Sequence, residues 1–74
     1  MANNEVTFEI TRFCGVIADE KNDWRRELNM VSWNGGEPKF DIRSWNSDHT
    51  KMTRGITLSC EQAAKVAELL AAAL

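Results

Sequence analysis

With 74 residues, 43% of them hydrophobic and 27% charged, the chain has room for one small folded domain; its composition excludes both a second core and wholesale disorder. A formal charge of −2 speaks against a uniformly basic surface, and two cysteines with one histidine supply neither a disulfide scaffold nor metal-ligand spacing. A core this small rarely yields more than about 3–5 kcal/mol, so the missing staples point to a second chain as the extra source of stability.

Met1–Glu9 is polar and acidic where a secretory leader would be basic and then apolar, and a reducing cytoplasm is the expected home. Val6, Phe8 and Ile10 alternate with Thr7, Glu9 and Thr11, the period of a half-buried strand. The phase changes near Phe13–Gly15, where Gly15 marks a bulge or bend, and apolar residues continue through Val16, Ile17 and Ala18. Asp19–Asp23 reads as a charged turn. Trp24–Trp33 and Glu37–Trp45 flank Asn34-Gly35-Gly36, a hairpin signal. A two-residue loop would set Met30 against Lys39 and Leu28 against Asp41. A three-residue loop, with Gly36 left-handed in a bulge, pairs Met30 with Phe40 and Leu28 with Ile42, and is preferred because a one-residue slip turns every side chain to the other face.

Asn46–Thr53 is a polar loop, and Ile56 and Leu58 alternate with Gly55 and Thr57 as a short fourth strand. Ser59-Cys60-Glu61-Gln62 is a capping box that opens a helix to the C-terminus. Ala63, Val66, Ala67 and Leu70 form its core stripe. The last turns, Leu69–Leu74, are apolar nearly all round, too short for the roughly 20 residues of a membrane span but wide enough to need cover on two sides. One sheet covers one side, and a second copy of the chain covers the other. The expected fold is α+β: a four-stranded antiparallel β-sheet followed by one C-terminal α-helix, a single homodimeric domain over 1–74.

The preferred register places Arg25, Glu27, Val31 and Trp33 on one face with Lys39, Asp41, Arg43 and Trp45, with Arg25 opposite Trp45, Glu27 opposite Arg43 and Val31 opposite Lys39. This face should meet solvent, since burying it would bury its charges. Single-stranded nucleic acid is held by cations along its phosphates and by flat side chains stacked on its bases, about 1–3 kcal/mol per stacked base. Trp33 and Trp45 offer the stacking, Arg25, Lys39 and Arg43 the charge, and Lys51 and Arg54 extend the track. Residues 21–54 carry seven basic and five acidic side chains, so the hairpin is mildly basic while the acidic excess lies elsewhere. Catalysis is not expected. Cys60 falls in the first helical turn and His49 in a solvated loop, with no third group to orient a nucleophile–base pair. Asn34-Gly35-Gly36 lacks the lysine and following helix of a phosphate loop, and no cofactor is implied.

Phe40-Asp41-Ile42-Arg43-Ser44-Trp45 and Gly55-Ile56-Thr57-Leu58-Ser59 resemble the C-terminal domain of the transcriptional positive cofactor four family. Trp24-Arg25-Arg26-Glu27-Leu28-Asn29-Met30-Val31-Ser32-Trp33-Asn34 resembles its compact bacterial YdbC type, and the likeness spans roughly residues 24–62. The resemblance implies a homodimer joined through the fourth strand and the helix. It also implies sequence-tolerant binding of single-stranded DNA on curved sheets. Contacts carry over to Trp33, Lys39, Arg43, Trp45, Lys51 and Arg54, while Arg25 follows from register alone. The basic cluster before Gly55 is thinner than in eukaryotic members. A protein-interaction module using the same tryptophan face and an RNA-binding domain are the rival readings.

Overall fold

The computed structural model describes residues 6–74, so the first five residues of the expected domain, and part of the polar start at Met1–Glu9, lie outside the described residues. The chain forms β1 (Phe8–Asp19), a single 3-10 turn (Lys21–Asp23), β2 (Arg25–Trp33), β3 (Lys39–Trp45), β4 (Ile56–Leu58) and α1 (Cys60–Ala73). The strands make one antiparallel sheet in the order β1-β2-β3-β4, the expected α+β arrangement.

β1 is kept continuous by three register shifts against β2, between Ile10 and Arg12, Phe13 and Gly15, and Val16 and Ala18. Each leaves one extra residue on β1 and so bends and twists it. The pairs that remain put Phe8, Ile10, Phe13 and Val16 opposite Trp33, Val31, Asn29 and Glu27, all on one face. The bulges thus convert a period of two into a period of three along Ile10, Phe13 and Val16. The bend anticipated near Gly15 is one of three.

β2 and β3 pair as expected: Arg25 with Trp45, Glu27 with Arg43, Leu28 with Ile42, Met30 with Phe40, Val31 with Lys39. The turn reaches this register by another route. Asn34 and Gly35 hold the positive φ angles, 52° and 74°, and Gly36 donates its N–H to the Trp33 carbonyl at 2.9 Å. This is a two-residue turn of the type that right-twisted strands favour. Gly36 is therefore not the left-handed residue. The extra residue is absorbed between Gly36 and Lys39, where the Ser32 hydroxyl donates to the Gly36 carbonyl at 2.6 Å. Asn34 also ties the turn to the start of β1, accepting from the Thr7 N–H through Oδ1 at 2.9 Å.

β4 follows a close approach at Gly55, where a β-carbon would meet the Ile42 carbonyl oxygen and the Arg43 side chain. Ser59 caps α1 as expected: its hydroxyl accepts from the Gln62 N–H at 3.1 Å, and the Gln62 side-chain oxygen Oε1 accepts from the Ser59 N–H at 3.0 Å. The helix lies beside β3 and β4 and buries none of its residues completely. It and the sheet enclose an open apolar groove of about 440 Å³, lined chiefly by Leu28, Phe40, Ile42, Leu58, Val66 and Leu70.

Candidate nucleic-acid interface

The face away from the helix is strongly concave. Trp33 and Arg25 stand at opposite ends of β2, eight residues and about 26 Å apart on a flat strand. Phe8 pairs with Trp33 and Trp45 pairs with Arg25, yet the Phe8 ring centroid lies 5.1 Å from Trp45 and 6.0 Å from Trp33. The sheet curls until its two ends meet across the face.

Curling explains how a face full of charge is buried. Val31, Glu27, Asn29 and Asp41 are wholly buried, and Trp45 is only 1% exposed. Asp41 accepts two parallel bonds from Arg43, Oδ1 from Nε at 2.6 Å and Oδ2 from Nη2 at 2.7 Å, and a third from the Thr57 hydroxyl at 3.0 Å. Such a two-pronged pair is among the stronger charge-assisted contacts. Glu27 Oε1 accepts from Asn29 Nδ2 at 3.0 Å and from His49 Nε2 at 2.9 Å, and Arg25 Nη2 lies 3.1 Å from Oε2. Burial pushes the Glu27 carboxyl up. The Asn29 and His49 hydrogen bonds and the charges of His49 and Arg25 outweigh it and hold the group below the ordinary glutamate range.

The expectation that Trp33 and Trp45 look out together into solvent is corrected for Trp45. Its register is as expected, but its ring is closed off by Phe8 on one side and by His49 on the other, at a centroid distance of 5.5 Å. His49 is correspondingly not a solvated turn residue. Held at a φ of 58°, it folds the 46–52 loop back over the sheet. The loop is fixed by the Trp45–Met52 bridge and by the Lys51 N–H donating to Asn46 Oδ1 at 2.9 Å.

Trp33 remains half-buried, with the Arg43 guanidinium carbon 4.6 Å from its ring centroid. Arg43 is 13% exposed and committed to Asp41, so it serves first to hold the face together. Arg25 is 40% exposed and keeps donors free toward solvent beside Glu27. Lys39 and Lys51 are exposed at opposite ends of β3, while Arg54 is exposed beside Arg26 and Arg43 along a shallow pocket of about 300 Å³ near Ile42 and Gly55. The fold thus brings Arg25, Trp33, Arg43 and Trp45 together and leaves Arg54 at a rim.

Sequence reasoning passed over Phe13, which is 54% exposed on this same face next to Arg25, Asn29 and His49. Its signal was the apolar triplet spacing at residues 10, 13 and 16, which a strict period of two cannot read. Both cysteines are free and exposed, and among the described residues no group of three or more His, Cys, Asp or Glu is arranged to hold a metal ion. No helix of the described residues is long and apolar enough to cross a membrane.

A strongly curled four-stranded antiparallel sheet followed by one capped helix presents aromatic and guanidinium groups on its concave face and defines a small α+β domain. The chain belongs to the family described as Transcriptional Coactivator p15 (PC4), whose pattern it matches over residues 21–69; this family is known for single-stranded DNA binding and coactivator roles. It is also 37% identical over 70 residues to an uncharacterized protein of Treponema pallidum (strain Nichols), an alignment covering 95% of this chain and 82% of that protein.

Proposed function

We propose that this chain is a single-stranded DNA-binding domain without enzymatic activity, acting as a homodimer in the cytoplasm on strands exposed by transcription, replication or repair. The observation that carries the reading is the concave face, where Trp33 and Arg25 stay accessible on a floor held by the Asp41–Arg43 pair and the Glu27–Asn29–His49 contacts. Rigidity matters because groups already fixed lose little freedom when a flexible strand settles on them. Lys39, Lys51 and Arg54 supply the outlying charge that a phosphate chain follows. Binding exposed single strands would pull melted duplex away from its complement by mass action.

The dimer reading rests on the groove between helix and sheet. Leu69 and Leu70 are 59% and 55% exposed, and the groove is almost wholly apolar at its lining. An apolar patch on a charged domain marks an association surface, and a second copy of the chain is the partner proposed for it.

A titration of tryptophan fluorescence with a short thymidine oligonucleotide tests the reading. Quenching should saturate, and log affinity should fall against log salt with a slope of about −0.7 per phosphate contacted. A flat salt response would favour the protein-interaction reading. Competition between oligo-dT and oligo-U decides between DNA and RNA.

A further inference from the structure

We propose that the pocket between β1 and β2, of about 390 Å³ and lined by Ile10, Phe13, Arg25, Asn29 and His49, receives one unpaired nucleobase and prefers bases with a keto-imino edge, thymine or guanine. The inference rests on the single-strand-binding reading and assigns to it a site and a preference. Its volume lies within the range of about 300–1,000 Å³ typical of small-molecule sites.

Three independent features converge there. Phe13 stands on the strand opposite Asn29 and is 54% exposed, so a ring face is open to stacking where the neighbouring Trp45 has none. Asn29 is wholly buried and its Oδ1 has no hydrogen-bond partner among the described residues. Its orientation is set by chemistry: the Glu27 carboxylate can only accept, so the Asn29 amide must turn Nδ2 to it, at 3.0 Å, and leave the carbonyl oxygen free. A buried acceptor without a donor is costly and is satisfied by an N–H brought by a ligand. Arg25, anchored through Nη2 to Glu27, still has guanidinium donors to offer a carbonyl oxygen or a phosphate. Acceptor and cation side by side match an imino N–H next to a carbonyl. Thymine presents this at N3–H and O4, guanine at N1–H and O6. Cytosine and adenine present an amino group beside a ring nitrogen, a poorer partner for a guanidinium.

The bulge between Ile10 and Arg12 builds this pocket. It keeps Phe13 on the concave face two registers beyond Ile10, and without it the ring would turn to the helix side.

The test compares three oligonucleotides of equal length, thymidine, N3-methylthymidine and cytidine, on the unaltered protein and on Phe13→Ala, Phe13→Leu and Phe13→Trp. The unaltered protein should bind thymidine at least several-fold tighter than the other two, because methylation removes the donated hydrogen while keeping ring and phosphates. Phe13→Ala and Phe13→Leu should weaken thymidine binding about tenfold, and Phe13→Trp should restore it, which loss of folding could not mimic. Equal affinity for thymidine and N3-methylthymidine, or Phe13→Ala binding within twofold of the unaltered protein, would overturn the base pocket and leave single-strand binding intact. Failure of the unaltered protein to bind any of the three would overturn both readings.

Discussion

Buried Asp41 and Glu27 show how single residues hold this face closed. Asp41 is matched by Arg43 and Thr57, and Glu27 by Asn29, His49 and Arg25, so neither carboxylate is left without compensation. One pair beyond Glu27 and Arg43 in the register lies Trp45, packed against Phe8 and His49. Trp45→Ala should destabilise the fold by about 3–5 kcal/mol, the usual loss for truncating a buried aromatic, read from urea midpoints. An effect confined to DNA binding would mean the ring is free in solution. Glu27 makes the fold sensitive to acid. Its folded value is depressed, so its contribution is fully present above the unfolded value of about 4.3 and is lost as pH falls through the folded value. Urea midpoints followed from about pH 6 down to about pH 3 should fall less in Glu27→Gln than in the unaltered chain across that window.

At the scale of elements, bulges and close approaches do the positioning. Three extra residues in β1 let one strand follow a face that curls back on itself, and the turn at Asn34-Gly35 with its adjoining bulge sets which side chains of β2 and β3 share that face. Gly55 lets the chain cross tightly over β3 just before β4. Gly55→Ala should therefore displace β4 and the start of the helix. The added carbon meets a backbone carbonyl, which cannot move aside as a flexible side chain would. Loss of amide hydrogen-exchange protection confined to Ile56–Leu58 and the first helical turn, ahead of any loss in β2, would be the signature.

Taken whole, the protomer has an inside-out distribution of apolar surface. Its best-packed region is the charged, curled face, while the greasy groove under α1 stays open. The long axis of 49 Å against a short one of 18 Å fits a half-assembly rather than a closed globule. The proposed dimer should sediment as two chains at micromolar concentration, and Leu70→Glu, which sets a charge in the groove, should give monomers of lower thermal stability. A Leu70→Glu protein that still sediments as a dimer would place the contact elsewhere.

Local rules written into the chain were sufficient for the order and type of the elements. Alternation named the strands, the Ser59–Gln62 box named the helix start, and pairing Leu28 with Ile42 and Met30 with Phe40 fixed the β2–β3 register, since only that parity separates apolar from charged side chains. The exposure of the second face was beyond those rules. Parity says which residues point the same way, but not whether that side is open. Curvature decides the latter, and curvature arises from three bulges and from a loop that brings His49 over Trp45. Local patterns were thus enough for a four-stranded sheet, a capped helix and the side chains that β2 and β3 place on each face. That Trp45 is floor and Phe13 an open ring emerges in the folded molecule, because contact between the two ends of a bent sheet depends on distances through space that no spacing along the chain records.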